Sequence, residues 1–251
     1  MQKVISGDGT PIAYERTGNG PALVLVAGAF GHRQFPALLE FAEAQSPYFT
    51  VYNYDRRGRG DSGDTPPYAV EREIEDLQAV IDATGGNACV WGQNSGAVLA
   101  LRAAAAGVPM RKLALHEPPL PAERPEFTAR LTELIAADKR ADAVKYFLTT
   151  GMGVPAFAVR MMRMMPPVWQ HLTGIAHTLP YDAKVLGAAE WASAKLPILV
   201  VDGEKSDPGL RKAAADLTAV LPDARRRTLE GQDHNVSMSV MAPVVREFFL
   251  D

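Results

Sequence analysis

Ala88-Cys89-Val90-Trp91-Gly92-Gln93-Asn94-Ser95-Gly96-Ala97 is the stretch on which the architecture turns. Ala88 to Trp91 is a short unbroken apolar run, the mark of a strand buried on both faces. Ala97 to Ala106 is rich in alanine and leucine and reads as a helix, stopped by Gly107 and Pro109. Between them stands Gly92-x-Asn94-x-Gly96. A strand-to-helix turn this tight lifts its middle side chain above the sheet edge. It needs glycine two places before and two after, because the helix packs close on the strand. The usual string has serine in the middle. Here the middle residue is Asn94, and Ser95 comes one place late, where its hydroxyl would point into the helix–sheet junction. The Ser95 backbone N–H is the more useful group, as a donor to a developing oxyanion.

Outward from this turn, strands and helices alternate. Upstream, residues 3–16 read as two strands around Asp8-Gly9, a hairpin signal. Ala22 to Val26 is a buried strand broken by Ala27-Gly28-Ala29-Phe30-Gly31. A helix is predicted over 35–45, a strand over 49–54, a loop over 56–67 and a helix over 70–84, with Ile74, Leu77, Val80 and Ile81 on one face. Downstream, Leu113 to His116 is a buried strand ending at Glu117. The rhythm then stops over 118–190, which begins with Pro118, Pro119, Pro121 and Pro125 and carries amphipathic helical stretches without strand pattern. It returns with a strand over 197–201, a helix over 208–221, a strand over 226–229 and a helix over 243–250. The expectation is an α/β fold: one domain over residues 1–251, a mostly parallel doubly wound sheet, and a helical cap inserted at about 118–190.

The chain has 251 residues, 26 basic against 29 acidic, for a net charge of -3. That balance is no footprint for nucleic acid. The short clusters Arg56, Arg57, Arg59 and Arg225 to Arg227 read as solvated or ion-paired surface. Cys89 is the one cysteine and reads as a buried filler, so no disulfide framework exists and a cytoplasmic location is expected. No run approaches the length of about 18 apolar residues that suggests a membrane span. Gly58-Arg59-Gly60-Asp61-Ser62-Gly63 matches a dinucleotide-binding pattern. Pro66-Pro67 follows it instead of a helix, which excludes that role.

His234 lies between the last strand and the last helix, where a general base reaches over the elbow. The Ala27–Gly31 loop follows an earlier strand and offers the second oxyanion donor: Ala29 N–H, with Phe30 beside it. Of the other histidines, His32 and His177 are candidates to line a pocket, while His116 and His171 read as structural or surface. In the insertion, Tyr146, Tyr181 and Trp191 are candidate hydrogen-bond donors to a ligand. Met152, Phe157, Met161, Met162, Met164, Met165 and Trp169 offer soft apolar surface, mostly for packing of the cap helices and in part for a pocket. No metal and no cofactor is expected.

Tyr54-Asp55-Arg56-Arg57-Gly58-Arg59-Gly60-Asp61-Ser62, the elbow, Glu117-Pro118-Pro119 and Gly231-Gln232-Asp233-His234 together closely resemble small bacterial α/β hydrolases. The resemblance spans the chain except the cap. It implies the α/β-hydrolase fold, chain order nucleophile–acid–histidine, and an ancestor of the esterase, C–C hydrolase or epoxide hydrolase kind. Many such hydrolases carry the acid just past the penultimate strand, a slot that falls at Ser206 with Asp207 adjacent. Some, including part of the haloalkane dehalogenase group, carry it where Glu117 stands. Glu117 is preferred and Asp207 is the alternative.

An amide is not a useful nucleophile at neutral pH. Three readings follow. In the first, Asn94, His234 and Glu117 support non-covalent, histidine-assisted chemistry on a hydrophobic small molecule: water addition, epoxide opening, or a lyase or cyclase step. In the second, the chain is a serine or aspartate hydrolase inactivated by asparagine. In the third, it is a small-molecule-binding protein on the same fold. The only partner expected is the small hydrophobic substrate, with no nucleic acid and no membrane, and a homodimer left open.

Overall fold

The computed structural model describes residues 1–119, 124–187 and 191–251. Each apolar run becomes a strand buried on both faces: β3 (Ala22–Val26), β4 (Thr50–Tyr54), β5 (Cys89–Gln93), β6 (Lys112–His116) and β7 (Ile198–Gly203). The N-terminal hairpin is β1 (Gln2–Ile5) and β2 (Pro11–Thr17), and β8 (Ala224–Leu229) closes the far edge. The strands lie in the order β1-β2-β4-β3-β5-β6-β7-β8. The pairs β1–β2 and β2–β4 are antiparallel, and every pair from β4 to β8 is parallel.

The period-2 alternation of a strand sends successive side chains to opposite faces. Val24, Val26, Val90, Leu113 and Leu115 meet one core, under α2 (Val70–Ala83), α3 (Ser95–Ala105) and α9 (Pro208–Val220). Leu23, Leu25, Cys89, Trp91 and Ala114 meet the other, under α1 (Pro36–Gln45) and α10 (Met238–Leu250). The chain moves from β3 outward to β4, then crosses back to place β5 on the other side of β3. The loops that leave the carboxyl ends of β3 and β5 therefore flank a topological switch point, where open α/β sheets bind ligands.

Between β6 and β7 lie α4 (Pro125–Ala136), α5 (Arg140–Tyr146) running into a π-helical turn at Phe147–Gly151, α6 (Ala156–Arg163), α7 (Pro166–Gly174) and α8 (Leu179–Val185). Their apolar faces form a third cluster of Phe127, Leu131, Phe147, Leu148 and Leu172, joined to the sheet layer through Phe30. Residues 120–123 and 188–190, including Pro121 and the expected end of the insertion, lie outside the described residues.

Three expectations need correction. Helix α10 begins at Met238, not at Pro243. Proline there costs one hydrogen bond, to the carbonyl of exposed Ser239, while Met238, Met241, Ala242 and Val245 bury one face. Most of the insertion's methionines are not core: Met152, Met161, Met164 and Met165 are exposed, and so is Phe157 on α6, at 70% exposure. Met162 and Trp169 do pack inward. Arg56, Arg57 and Arg59 are not on the surface. Each is at most 1% exposed, and their acids come from remote helices: Glu73 and Asp76 on α2, Asp182 on α8. No helix among the described residues is long and apolar enough to cross a membrane.

Candidate active site

Asn94 has φ 53 and ψ -126, and its N–H donates to the His116 carbonyl at 2.9 Å. A side chain at Gly92 would put Cβ 2.7 Å from Ala97 Cα, and one at Gly96 would put it 2.4 Å from the carbonyls of Val26 and Ala27. The spacing of the two glycines is thus a contact requirement: strand, elbow and helix pass too close for any Cβ. Gly28 likewise lies against Asn94.

His234 stands on the loop between β8 and α10 with about a third of its side chain exposed. Its Nε2 is 3.3 Å from Asn94 Nδ2 and its Nδ1 is 2.5 Å from Glu117 Oε2. An amide nitrogen only donates, so Nε2 accepts and the ring proton sits on Nδ1, facing Glu117. That tautomer leaves the basic lone pair on the side of the elbow.

Glu117 follows β6 at φ 44, fully buried. Its Oε1 accepts from the Gly203 N–H at 2.9 Å and from the Ser206 hydroxyl. Burial alone raises a carboxyl pKa, but hydrogen bonds from His234, Ser206 and Gly203 overcome it and hold Glu117 at about 2. The slot past the penultimate strand therefore holds no acid of its own. It supplies the hydroxyl and amide that fix Glu117. Asp207 does not approach His234; it caps α9, accepting from the Gly209 N–H at 2.7 Å. His116, buried beside the His234 ring at 6.2 Å, is pushed down to about 4 by burial and is neutral at pH 7.

Ser95 follows Asn94 at the end of β5, and Ala29 follows Gly28, which lies against Asn94, at the end of β3. Among the described residues, neither backbone N–H has an acceptor. Ser95 N–H also sits in the first turn of α3, where helix N–H groups point outward and favour negative charge. The Ser95 hydroxyl is turned inward, donating to Asp182 at 2.7 Å. Phe30, at φ 60, turns its ring edge-on to Phe147, and its carbonyl takes a hydrogen bond from His171 Nε2 at 2.8 Å. His32 lies 4.9 Å from the His171 ring, and His177 faces Asp64 at 3.7 Å.

Of the three candidate contacts from the insertion, Trp191 and Tyr181 are engaged elsewhere, and Tyr146 packs in the cluster that holds Phe30. Trp191 packs beside α3 with the Arg102 guanidinium over its ring. Tyr181 stacks on Tyr68 at 3.8 Å and donates to Asp64 at 3.0 Å. Tyr146 stacks against Phe127 at 5.2 Å in the apolar cluster. Sequence reasoning missed Asp182 and the role of Ser206. Ser206 was visible as the occupant of the acid's slot, but nothing local marks Asp182, whose partners Ser95, Arg56 and Arg59 are 87 to 126 residues away.

The elbow geometry, the open switch point and a carboxylate–imidazole pair in the order Asn94, Glu117, His234 agree with a profile of the alpha/beta hydrolase family, which matches residues 23–247. The chain belongs to the alpha/beta hydrolase family. An alpha/beta hydrolase from Sphaerobacter thermophilus DSM 20745 is 49% identical, covers 99% of this chain and 100% of its own, and superposes with a TM-score of 0.91. The enol-lactonase from Burkholderia xenovorans LB400 covers 100% of both chains with a TM-score of 0.76 at 20% identity, a likeness of fold alone. The N-formylmaleamate deformylase of Pseudomonas putida KT2440 is 36% identical over 123 residues, 46% of this chain. The match covers 44% of that curated relative's length.

Proposed function

We propose that this chain is a hydrolase that adds water to the carbonyl of a hydrophobic small molecule without a covalent intermediate, with His234 as general base. The observation that carries this reading is the intact pair: Glu117 faces His234 Nδ1 at 2.5 Å, and the Nε2 lone pair faces an amide in place of a nucleophile. At 3.3 Å the Asn94 contact is long for a hydrogen bond, and a water accepting from Asn94 Nδ2 replaces it readily. His234 Nε2 takes a proton from that water as its oxygen bonds to the carbonyl carbon. The carbonyl π pair moves onto oxygen, where the Ala29 and Ser95 N–H groups receive the charge. Glu117 stabilises the imidazolium. When the tetrahedral species collapses, the oxygen pair re-forms the carbonyl, the leaving group departs with its bonding pair, and the imidazolium returns the proton to it.

The apolar cluster of Phe30, Phe147 and Trp169 next to the Ala29 loop supports an apolar substrate body. The names of the deformylase and the enol-lactonase suggest formamides and enol-lactones as the first compounds to try. Turnover on a panel of formamides, lactones and aryl esters should vanish in His234→Ala, and the intact mass of the protein should not change during turnover. Turnover that survives His234→Ala, or an acyl adduct on the wild-type chain, would overturn the reading. A second reading has one observation in its favour: the Asn94 amide occupies the place on Nε2 that a serine hydroxyl would take, as in a serine hydrolase stopped by its asparagine.

A further inference from the structure

Water addition to a carbonyl uses neither the buried arginines after β4 nor Asp182, yet these groups bind the backbone that would carry the reaction. Asp182 is fully buried on α8, in the insertion. Its Oδ1 accepts from the Ser95 hydroxyl at 2.7 Å and from Arg56 at 2.8 Å, and its Oδ2 accepts from Arg59 at 2.7 Å. Both arginines continue to the other switch-point loop. Arg59 donates to the Gly28 carbonyl at 2.7 Å and Arg56 to the Ala27 carbonyl at 3.3 Å.

The Gly28 carbonyl belongs to the same peptide unit as the Ala29 N–H. In a planar trans peptide the two point in opposite directions. Drawing the Gly28 oxygen onto a buried guanidinium therefore turns the Ala29 N–H away from the arginines, and a cation on the carbonyl also makes that N–H a stronger donor. One carboxylate thus holds both residues whose N–H groups have no acceptor: Ser95 through its own hydroxyl, and Ala29 through Arg59 and Gly28.

We propose that Asp182 is a positioning residue that sets the two oxyanion-binding N–H groups, so that the helical insertion orients the site below it through a buried charge. This rests on the functional reading above, because it takes those two N–H groups as the receivers of negative charge. Asp182 touches no substrate and acts through Arg59, Gly28 and Ser95.

Asp182→Asn keeps the shape and removes the charge. In its crystal structure the Gly28–Ala29 peptide should be rotated, and the Ala29 and Ser95 resonances should move in the amide nitrogen–proton spectrum. Placed together with Asn94→Ser, it should lower kcat on para-nitrophenyl acetate roughly 10- to 100-fold with KM changed less than about two-fold. A lower melting temperature with an unmoved peptide plane and unmoved resonances would reduce Asp182 to packing and overturn the proposal. If Asp182→Asn does not fold, Arg59→Lys carries the same expectations, since it keeps a cation facing Asp182 and loses the fork to Gly28. A rotated peptide in Asp182→Asn, with wild-type turnover that survives His234→Ala, would sink the functional reading and leave the positioning role standing. An unmoved peptide, with wild-type turnover lost in His234→Ala, would do the reverse.

Discussion

An amide at position 94 changes what the His234 imidazole can take a proton from. Asn94→Ser places a hydroxyl 140 residues upstream of an imidazole whose Nδ1 faces Glu117. Burst release of para-nitrophenol from an activated aryl ester should then appear in the variant and be absent from the wild type; no burst in either would show that the elbow does not present residue 94 to the base. The neighbouring groups also fix a pH response. His116 has its folded pKa pushed down from 6.5 to about 4, so the unfolded chain binds its proton first. Its contribution to stability is complete above 6.5 and declines as pH falls towards 4. Glu117 behaves the same way lower down, between its ordinary 4.5 and about 2. The melting temperature should therefore fall as pH drops below 6.5, and His116→Asn should lessen the fall above about pH 4 without changing the fall below it. At this scale much was legible in the sequence. Asn94, Ser95 and His234 stand out from spacing and position, and Glu117 as a candidate acid only through the resemblance to the family. The acid could be narrowed only to Glu117 or Asp207, because which carboxylate meets an imidazole depends on a loop path that local pattern does not encode.

Among the elements, the strand–elbow–helix unit is tightly constrained. Gly96→Ala would drive a methyl group against the carbonyls of Val26 and Ala27 at 2.4 Å. It should cost roughly 1–3 kcal/mol or more, as overpacking does. Gly174→Ala, at the end of α7 with nothing within 4 Å, is the control and should be neutral or stabilising in the same denaturant titration. Strands read well from sequence because runs such as Leu23–Val26 and Leu113–Leu115 are buried on both faces and so unbroken by polar residues. The start of α10 read poorly, since Pro243 resembles a first-turn proline and the tertiary burial of Met238 and Met241 overrides it.

Across the whole molecule, sequence reasoning was weakest on what is inside. Three arginines within four residues look like surface, and the acids folded over them from α2, α8 and the β1–β2 turn, where Asp8 meets Arg57, make their burial tolerable. The reverse error concerns Phe157, Met161, Met164 and Met165, apolar in type and exposed in fact. Phe157→Ser should leave unfolding free energy within about 0.5 kcal/mol of wild type, as expected for an exposed site. A larger loss would mean that this face is covered in solution.

The carboxylate that α8 sends down to Arg56 and Arg59 also limits how the protein can be rebuilt. An insertion loop in this fold invites exchange between relatives, as a lid is swapped between vessels. Here a transplanted lid without an aspartate at that depth would strand Arg59 in a dry interior and leave Arg56 to Glu73 alone, and the graft would melt the vessel as well as change its contents.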